Sequence, residues 1–469
     1  MTELHDGAAA FGPGQGSTPG ALSSQEGPLG TCAFVTFGCK INFYDTQAVR
    51  EQVLDLGYAE VPAADGADLL VVNSCTVTAR AGEKSTSAVR RLARRNPGAT
   101  IIVTGCMTEA ERRDLAEIPR VLHVVGNEEK DQIPALLQGA ERRVRRGRGG
   151  RDIFRLRTSR FAGRTRAFLK VHDGCDEFCS YCIIPLLRGR SKSRDCDEVV
   201  EEARRLADAG HRELVLTGIH LSRYGRDITP PTTLVELLAA LVAVPGIERV
   251  RLSSIGEGAF TDEFLDLFAT QPALCRFFHV PLQSGSDAVL TRMRRDYTVR
   301  QYLDAIGRIR ERLDDALIAT DLMIGFPGET DAEFEESLDT CRQAAFAKMH
   351  LFPYSLRPRT LAARLPGHLG PDVKDARMQV ARGLEADLGR RALASRIGRT
   401  ASVLVEGRRA GHYYGTCRAG YPVRFRATDA PDLWNHELRV RICAADADGL
   451  LGSLEPEGAS RSATEGALE

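Results

Sequence analysis

Three cysteines lie close together in the stretch DGCDEFCSYC, which runs from Asp173 to Cys182. Cys175, Cys179 and Cys182 have the spacing C-x3-C-x2-C, so their thiolates can hold one soft metal centre, either zinc or an iron–sulfur cluster. A structural zinc site requires a fourth ligand, and no histidine follows the third cysteine closely. His172, which precedes the first cysteine, is expected to pack inside a strand. A cubane cluster with three cysteine ligands would leave one iron open for chemistry.

A second trio of cysteines is spread along the N-terminal part of the chain. Cys39, Cys75 and Cys106 each follow a short apolar run, in TFGC, VVNSC and IVTGC. Such runs alternate with helical patterns from Thr31 to about Gln138, which predicts a parallel sheet with helices on its faces. Because the carboxyl ends of parallel strands meet at one edge, where ligands bind, we expect the three cysteines to converge there.

The composition is typical of a folded protein with several domains, since 43% of the 469 residues are hydrophobic. No apolar run is long enough to span a bilayer, and MTELHDGAAAFGPGQGSTPG lacks the pattern of a secretory signal. We therefore expect a cytoplasmic monomer with no membrane partner, in which twelve cysteines do not form a disulfide framework. Six of them lack a special placement and are expected to pack as small apolar side chains: Cys32, Cys196, Cys275, Cys341, Cys417 and Cys443.

The centre of the chain predicts a partial barrel. Six strand patterns separated by helical patterns begin near Ala167: FLKVHDG, ELVLTGI, RVRLSSI, FFHVPL, LIATDLMIGF and KMHLFPYS. Six strand–helix units indicate an open (β/α)6 barrel, smaller than the eight-stranded form. DGCDEFCSYC then lies on the loop that leaves the first strand, at the end of the barrel where active sites occur.

A basic segment joins the first two regions. From Arg142 to Arg166 there are eleven arginines and one acidic residue, Asp152. Acidic and basic residues balance over the whole chain, 63 against 63, so a polyanion would have to be bound by a local basic patch of this kind. The segment is either a solvated connector or a contact with the phosphates of a nucleic acid.

The C-terminal region changes to short alternating strands from about Arg396: TASVLVEG, HYYGTCR, YPVRFRA and ELRVRIC. This pattern predicts a small β-barrel of the kind that often binds nucleic acids, although a solvated sheet face explains the same residues. The residues that offer phosphate contacts and stacking surfaces are Arg408, Arg409, Arg418, Arg424, Arg426, Tyr413, Tyr414 and Tyr421.

The C-x3-C-x2-C loop on a partial barrel resembles the radical S-adenosylmethionine (SAM) superfamily. Together with Cys39, Cys75 and Cys106 and a small C-terminal β domain, it resembles the methylthiotransferases from about Thr31 to Leu454. The segments TFGCKINFYDTQ, LTGIHLSRYG, FFHVPLQSGSDAVLTRMRRDYT and GFPGETDAEF look like the branch that acts on N6-threonylcarbamoyladenosine in tRNA. A branch acting on isopentenyladenosine in tRNA and one acting on a ribosomal-protein aspartate remain alternatives.

This resemblance implies an α/β fold with three domains. The expected division is a disordered leader (1–29), a flavodoxin-like methylthiotransferase domain (30–140), a basic linker (141–160), a radical SAM domain (161–395), an RNA-binding TRAM domain (396–456) and a disordered tail (457–469). It also implies that each cysteine trio holds its own 4Fe-4S cluster. The expected partners are a tRNA anticodon stem-loop and an unidentified reductant protein. A non-catalytic, metal-binding RNA-binding protein is the alternative of a different class.

The resemblance further implies that SAM is both the radical source and the methyl donor. Residues at or just beyond barrel strand ends are predicted to contact SAM: Thr217, Gly218, Ser253, Ser254 and Gln283. Serine and threonine at such positions are also common turn formers. Phe178 and Tyr181 are expected to shield the first cluster from water, and the sequence SSIGEGAF leaves open whether Glu257 lines the SAM pocket. The carboxylate of the threonylcarbamoyl group would require a cation, for which Arg188, Arg190, Arg194 and Arg223 are candidates.

Overall fold

A five-stranded sheet forms the N-terminal part of the computed structural model, which describes residues 28–141, 151–427 and 432–455. Its strands are β1 (Gly30–Thr36), β2 (Tyr58–Glu60), β3 (Leu69–Ser74), β4 (Thr100–Gly105) and β5 (Val121–Val125). All neighbouring strands are parallel in the order β2-β1-β3-β4-β5, which is the flavodoxin order. The predicted parallel α/β domain is therefore confirmed.

Four helices cover the two faces of this sheet: α1 (Lys40–Asp55), α2 (Ala79–Arg95), α3 (Glu109–Ala116) and α4 (Ile133–Leu137). Helices α1 and α4 pack on one face, and α2 and α3 pack on the other. The sequence predicts α2 with its observed bounds, but it predicts the start of α1 at Asp45 instead of Lys40. The early turns of α1 bury the polar side chains of Asn42, Asp45 and Thr46, so they lack the apolar stripe that reveals a helix.

The central part is the predicted six-stranded open barrel. Its strands are β6 (Arg166–Lys170), β9 (Glu213–Thr217), β10 (Arg249–Leu252), β11 (Phe277–His279), β12 (Leu317–Ile324) and β13 (Lys348–Pro353), with β7 (His172–Asp173) and β8 (Lys192–Ser193) forming a short antiparallel pair. Three strands form the sheet β10-β9-β6 and three form the sheet β11-β12-β13. Parallel bridges at Val250 to Leu274 and Ser254 to His279 join the two sheets into one curved wall.

Helices between the barrel strands form its outer layer: α5 (Ile184–Arg188), α6 (Cys196–Asp208), α7 (Leu234–Val242), α8 (Asp262–Thr270), α9 (Asp287–Met293), α10 (Val299–Arg312) and α11 (Asp331–Ala344). A longer helix, α12 (Pro371–Ala394), leads to the C-terminal part. Capping boxes at Thr233, Thr298 and Thr330 begin α7, α10 and α11, which satisfies the first backbone N–H groups of each helix. No helix in the described residues has both the length and the apolar character needed to cross a membrane.

The C-terminal part is a closed β-barrel, as predicted. Its strands are β14 (Thr400–Arg409), β15 (His412–Cys417), β16 (Pro422–Arg426), β17 (Glu437–Asp446) and β18 (Gly449–Leu454), in the order β14-β15-β16-β18-β17. The sequence identifies the first four strands and misses β18, because GLLGSL contains two glycines and little alternation. Residues 142–150, the leader through residue 27 and the tail from residue 456 lie outside the described residues.

The basic linker is packed where the structure describes it. Leu156 and Thr158 are buried, and the Thr158 hydroxyl donates to Glu202 of α6 at 2.6 Å. Ser159 donates to Glu51 of α1 at 2.8 Å through its hydroxyl group. This half of the linker therefore binds the N-terminal sheet domain to the central barrel, and it is not a solvated connector.

Two buried arginines of β10 attach the C-terminal barrel to the central barrel. Arg249 donates to the carbonyl of Thr416 at 3.0 Å, and Arg251 donates to the carbonyl of Cys417 at 3.2 Å. Both guanidinium groups lie 2.7 Å from the fully buried carboxylate of Glu213. Because buried charges are tolerated only with partners in good geometry, this triad fixes the two barrels in one relative position.

The triad predicts an acid-sensitive interface. Burial raises the pKa of Glu213, but Arg251 and Arg249 outweigh it and hold that pKa at about 2, against an ordinary value of 4.5. A depressed pKa stabilises the fold above pH 4.5, and this stabilisation is lost as the pH falls from about 4.5 towards 2. We expect Glu213→Gln to destabilise the interface by about 3–5 kcal/mol at pH 7 and to flatten this acid dependence. The reason is that Arg251 loses its buried counter-ion and, among the described residues, Arg249 keeps only Glu437, at 3.2 Å.

The measurement is denaturant unfolding followed by the fluorescence of Trp434, the single tryptophan, which lies in the C-terminal barrel. Glu248→Gln is the matched control. It removes a partner of Arg212 from a half-exposed pair at 2.9 Å, which is expected to cost less than about 1 kcal/mol. Equal effects of the two substitutions would contradict the structural role of the triad.

Candidate active site

The loop with Cys175, Cys179 and Cys182 is held firmly at the mouth of the central barrel. The Cys175 N–H donates to the carbonyl of Gly189 at 3.1 Å, and the Ser180 N–H donates to that of Met293 at 2.9 Å. Gly174 has a φ of +71°, and a Cβ atom there would overlap the carbonyl of Arg190. The loop therefore requires glycine before the first cysteine to bring the cysteine backbone close to α5.

The three cysteines of this loop are free and partly buried. Burial raises the pKa of Cys175 to about 11 and that of Cys182 to about 12. Thiolate ligands therefore require a cationic partner at this site, which a metal centre supplies. Tyr181 packs against a group of buried apolar side chains that includes Met293 and Phe326. Phe178 is 50% exposed. The role of these two aromatic residues in shielding the metal centre from water stays a prediction.

One arginine that the sequence analysis missed contacts this trio. The Nη1 of Arg295 donates to the Sγ of Cys179 at 3.2 Å, and its guanidinium group lies 4.8 Å from the ring centroid of Tyr297. The sequence signal is weak, because Arg295 lies in MRRDYT beside another arginine, Arg294, that is exposed.

The second trio converges at the carboxyl edge of the N-terminal sheet. Cys39 is the N-cap residue of α1, whereas Cys75 and Cys106 directly follow β3 and β4. A Cβ atom on Gly38 would lie 2.8 Å from the Sγ of Cys75, so Cys75 packs against the residue that precedes Cys39. Burial raises the pKa of Cys75 to about 12, and the neighbouring Cys106 and Cys39 add to this shift. The expected convergence is thus observed in the geometry.

A buried ion network joins the two cysteine sites. Arg188, at the end of α5, donates to the Sγ of Cys106 at 3.2 Å and forms an ion pair with Asp173 at 2.9 Å. Lys170 lies 2.7 Å from Asp173 and 3.1 Å from Asp45. Asp45 also pairs with the buried Lys130.

This network contains more cations than carboxylates. Within the part of the chain that the structure describes, Arg188, Lys170 and Lys130 form ion pairs only with Asp45 and Asp173, and all five side chains are buried. A deprotonated Cys106 would supply a missing negative charge, which fits a metal-bound thiolate at that position. The donor set therefore fits the predicted cluster at this edge.

Polar atoms without a protein partner mark the carboxyl ends of the barrel strands. The side-chain oxygens of Ser253, Gln283 and Ser286 are buried and form no hydrogen bond. Gln283 also has a φ of +67°, an unusual conformation for a residue other than glycine. A buried polar group without a partner costs about 1–3 kcal/mol, so these atoms fit a polar ligand at this end of the barrel. Ser253 and Gln283 are two of the residues predicted to contact SAM.

The other predicted SAM contacts have different surroundings. The hydroxyl group of Ser254 is hydrogen-bonded to the Nδ1 of His279 at 2.8 Å. Thr217 is the buried last residue of β9. A Cβ atom on Gly218 would lie 2.8 Å from the Cβ of His172, so glycine allows the chain to pass β7 closely. Their contact with SAM stays a prediction.

A polar group within the central barrel was missed by the sequence analysis. The ligand atoms of His279, Asp321 and His350, from three adjacent strands, lie within 4.8 Å of one another. His279 bonds Asp321 at 2.8 Å. Burial raises the pKa of Asp321, but His279 holds it at about 2, and burial lowers the pKa of His350 to about 3. The available signal was a histidine or an aspartate in each of three mainly apolar strands.

The candidate cations for the substrate fall into two groups. Arg188 and Arg194 are buried, and Arg194 forms an ion pair with Glu202 at 2.6 Å, so these two arginines have structural partners. Arg190 is largely exposed, and Arg223 forms an ion pair with a glutamate of the first cysteine loop. Only Arg190 and Arg223 of the four therefore remain candidates for contact with a ligand.

Half of the predicted nucleic-acid contacts on the C-terminal barrel are wrong. Tyr413 and Tyr421 are 4% and 5% exposed and belong to the barrel core, so they cannot stack on bases. Arg418 donates to the carbonyl of Pro272 in the central barrel at 2.6 Å, and Arg424 forms an ion pair with an aspartate of β17. Arg408, Arg409, Arg426 and Tyr414 are exposed, as predicted.

Residues 355–362 connect the two cysteine loops, and the sequence analysis gave them no role. The Ala79 N–H, near Cys75, donates to the Oγ of Ser355 at 3.1 Å. The Ala362 N–H donates to the carbonyl of Ser180, next to Cys179, at 2.7 Å. This segment holds the two loops in a fixed relation.

Two regions of the chain match known protein families. Residues 169–341 match the radical SAM superfamily, and residues 31–126 match the uncharacterized protein family UPF0004. The solved structure of the radical SAM methyltransferase TsrM from Kitasatospora setae has a TM-score of 0.49 and 17% identity, covering 71% of this chain and 76% of that one.

Curated relatives match most of the chain. Threonylcarbamoyladenosine tRNA methylthiotransferase MtaB of Bacillus subtilis is 37% identical over 75% of this chain and 79% of its own length. MtaB of Chlamydia pneumoniae is 34% identical over 91% and 98% of the two chains. The tRNA-2-methylthio-N(6)-dimethylallyladenosine synthase of Pelotomaculum thermopropionicum is 33% identical over 90% and 96%. The chain therefore belongs to the radical SAM methylthiotransferase family.

Proposed function

We propose that this enzyme methylthiolates carbon 2 of N6-threonylcarbamoyladenosine next to the anticodon of tRNA. One observation carries the proposal: two cysteine trios on facing loops, joined by a buried ion network, in a chain that is 37% identical to an enzyme named for this nucleoside. A 4Fe-4S cluster and SAM are implied by membership in the radical SAM superfamily. The second cluster, a cytoplasmic monomeric state and a separate reductant protein are parts of the proposal.

The chain's residues have separate roles in this proposal. Cys175, Cys179 and Cys182 hold the cluster that, with one electron and SAM, supplies the radical for attack on an unactivated carbon. Cys39, Cys75 and Cys106 hold the cluster that carries the sulfur to be transferred. Ser253 and Gln283 offer unpaired polar atoms to SAM. Arg188 and the segment 355–362 hold the two cysteine sites in a fixed relative position.

The exposed basic face of the C-terminal barrel is the proposed RNA contact. Arg409 lies opposite His412 across β14 and β15, and Tyr414 points to the same outer face. Arg408 lies opposite the buried Tyr413, with its guanidinium group 5.3 Å from the centroid of that ring, so it belongs to the other side of β14. Arg426 of β16 lies next to His412, with 3.0 Å between its Nε and the His412 Nε2. Arginines and an exposed ring on one surface suit phosphates and unpaired bases.

Separate substitutions in the two trios test their division of labour. Replacement of Cys175, Cys179 or Cys182 by Ala is expected to abolish SAM cleavage, because this trio lies at the barrel mouth. Replacement of Cys39, Cys75 or Cys106 should preserve SAM cleavage and abolish only the methylthiolated product. The measurement is the yield of 5′-deoxyadenosine and of modified nucleoside from reconstituted protein. Equal loss of SAM cleavage in both sets would contradict the assignment.

The RNA contact is tested by point substitutions, since deletion of the C-terminal barrel would uncover Leu317 and Ala319 of the central barrel. Arg409→Gln with Arg426→Gln, which removes two exposed arginines beside His412, should weaken tRNA binding and reduce the slope of log K against log salt by about 1 per lost phosphate contact. Arg300→Gln is the control, because it removes an exposed charge of α10, outside the C-terminal barrel. Binding and slope are read from salt titrations, and an unchanged slope in the double variant would remove this face from the binding model.

The substrate is tested with two anticodon stem-loops that differ only in the N6 substituent of the adenine. We expect methylthiolation of the threonylcarbamoyl form and little of the isopentenyl form, because a site that binds a carboxylate leaves a cation unpaired with an apolar group. Mass spectrometry of the nucleosides gives the product. Modification of the isopentenyl form alone would refute this substrate and favour the activity named for the dimethylallyladenosine relatives.

A further inference from the structure

Arg295 lies beside the first cysteine trio in an unusual electrostatic setting. It donates to the Sγ of Cys179 at 3.2 Å, and its Nε is buried without a hydrogen-bond partner. Among the described residues, no carboxylate lies within 4.0 Å of this guanidinium group. A desolvated cation without a counter-ion is costly and persists only where the surrounding structure compensates it.

Aromatic side chains compensate only part of this cost. The guanidinium group stacks 4.8 Å from the centroid of Tyr297, a contact worth about 0.5–2 kcal/mol in general. Glu257 also interacts with Arg295 through space, but burial raises the pKa of Glu257 and thus disfavours its charged form. Among the described residues, the other groups near Arg295 that can carry negative charge include Tyr297, Tyr181 and the thiol of Cys179. Of these three, only the thiol becomes an anion by binding a metal centre.

Arg188 at the second trio provides a contrast. It also donates to a cysteine sulfur at 3.2 Å, but it forms a 2.9 Å ion pair with Asp173 and donates to Asn42 at 2.8 Å. The positive charge of Arg188 is therefore compensated within the buried ion network that joins the two cysteine sites. Arg295 has no such network, so its position is explained by the group that the first trio binds.

We propose that Arg295 is the counter-ion of the SAM-cleaving cluster and raises the reduction potential of that cluster. Three thiolates make an oxidised cubane cluster anionic, and an added electron increases the negative charge. A nearby cation and a hydrogen bond to a ligand sulfur both favour the reduced form. Arg295 thereby makes the barrel cluster the better acceptor for the electron that the reductant protein delivers. This inference rests on the cysteine assignment in the proposed function.

The test is a potentiometric titration of the reconstituted holoenzyme, monitored by electron paramagnetic resonance. The barrel cluster is identified as the component whose signal changes when SAM is added. In Arg295→Gln we expect this component to be reduced at a more negative potential, while the other component keeps its wild-type potential. Arg295→Lys keeps the positive charge, so the potential of this component should lie close to that of the wild-type enzyme.

Arg294→Gln is the matched control. Arg294 is adjacent in sequence and carries the same charge, but it is exposed and should therefore be screened by solvent. Iron and sulfide contents are measured for each variant. If the Arg295→Gln variant loses its iron, the potential of the barrel cluster is measured in Arg295→Lys instead. A potential near that of the wild-type enzyme in this variant supports the proposal.

Four outcomes would overturn the proposal. The first is an unchanged potential in a fully loaded Arg295→Gln variant, which together with weaker SAM binding would make Arg295 a SAM ligand instead. The second is an equal shift of both components, or a shift in Arg294→Gln. The third is loss of iron from a folded Arg295→Lys variant. A wild-type enzyme with no SAM-responsive component would overturn the cysteine assignment and this proposal together.

Discussion

The arrangement of the whole enzyme depends on a buried chain of charges between its first two domains. Arg188, Asp173, Lys170, Asp45 and Lys130 alternate in sign along contacts of about 3 Å and are shielded from water. Buried ion pairs contribute little net stability compared with apolar packing, but each requires a specific geometry. The network therefore specifies the relative position of the domains more than it stabilises them.

That position matters because the two cysteine sites belong to different domains. Asp173 lies two residues before Cys175, and Arg188 contacts Cys106. Any rotation between the domains would separate charges in a medium where they cannot be solvated. The linker packing at Thr158 and the segment 355–362 add hydrogen bonds on other sides of the same junction. A reaction that needs both sites at one substrate carbon requires this rigidity.

The sequence was sufficient for features set by local periodicity and topology. The convergence of Cys39, Cys75 and Cys106 could be predicted because parallel strands end at one edge of a sheet. The contacts of Arg188 and Arg295 with cysteine sulfurs could not be predicted, since their partners come from distant segments and neither arginine belongs to a repeating pattern. The prediction that both Tyr413 and Tyr414 stack on bases could have been avoided. Neighbouring residues of a strand point to opposite faces, so only one of these two tyrosines can be exposed.

The attachment of the C-terminal barrel to β10 has a mechanical consequence. Arg249 and Arg251 join the two barrels through backbone carbonyls and a shared carboxylate, so the distance from the outer face of one barrel to the cysteine loop of the other cannot vary much. A polynucleotide held on the outer face would present only a nucleotide at a set spacing to the reactive centre. With that contact, the enzyme would select its target by position along the strand as well as by the chemistry of the base.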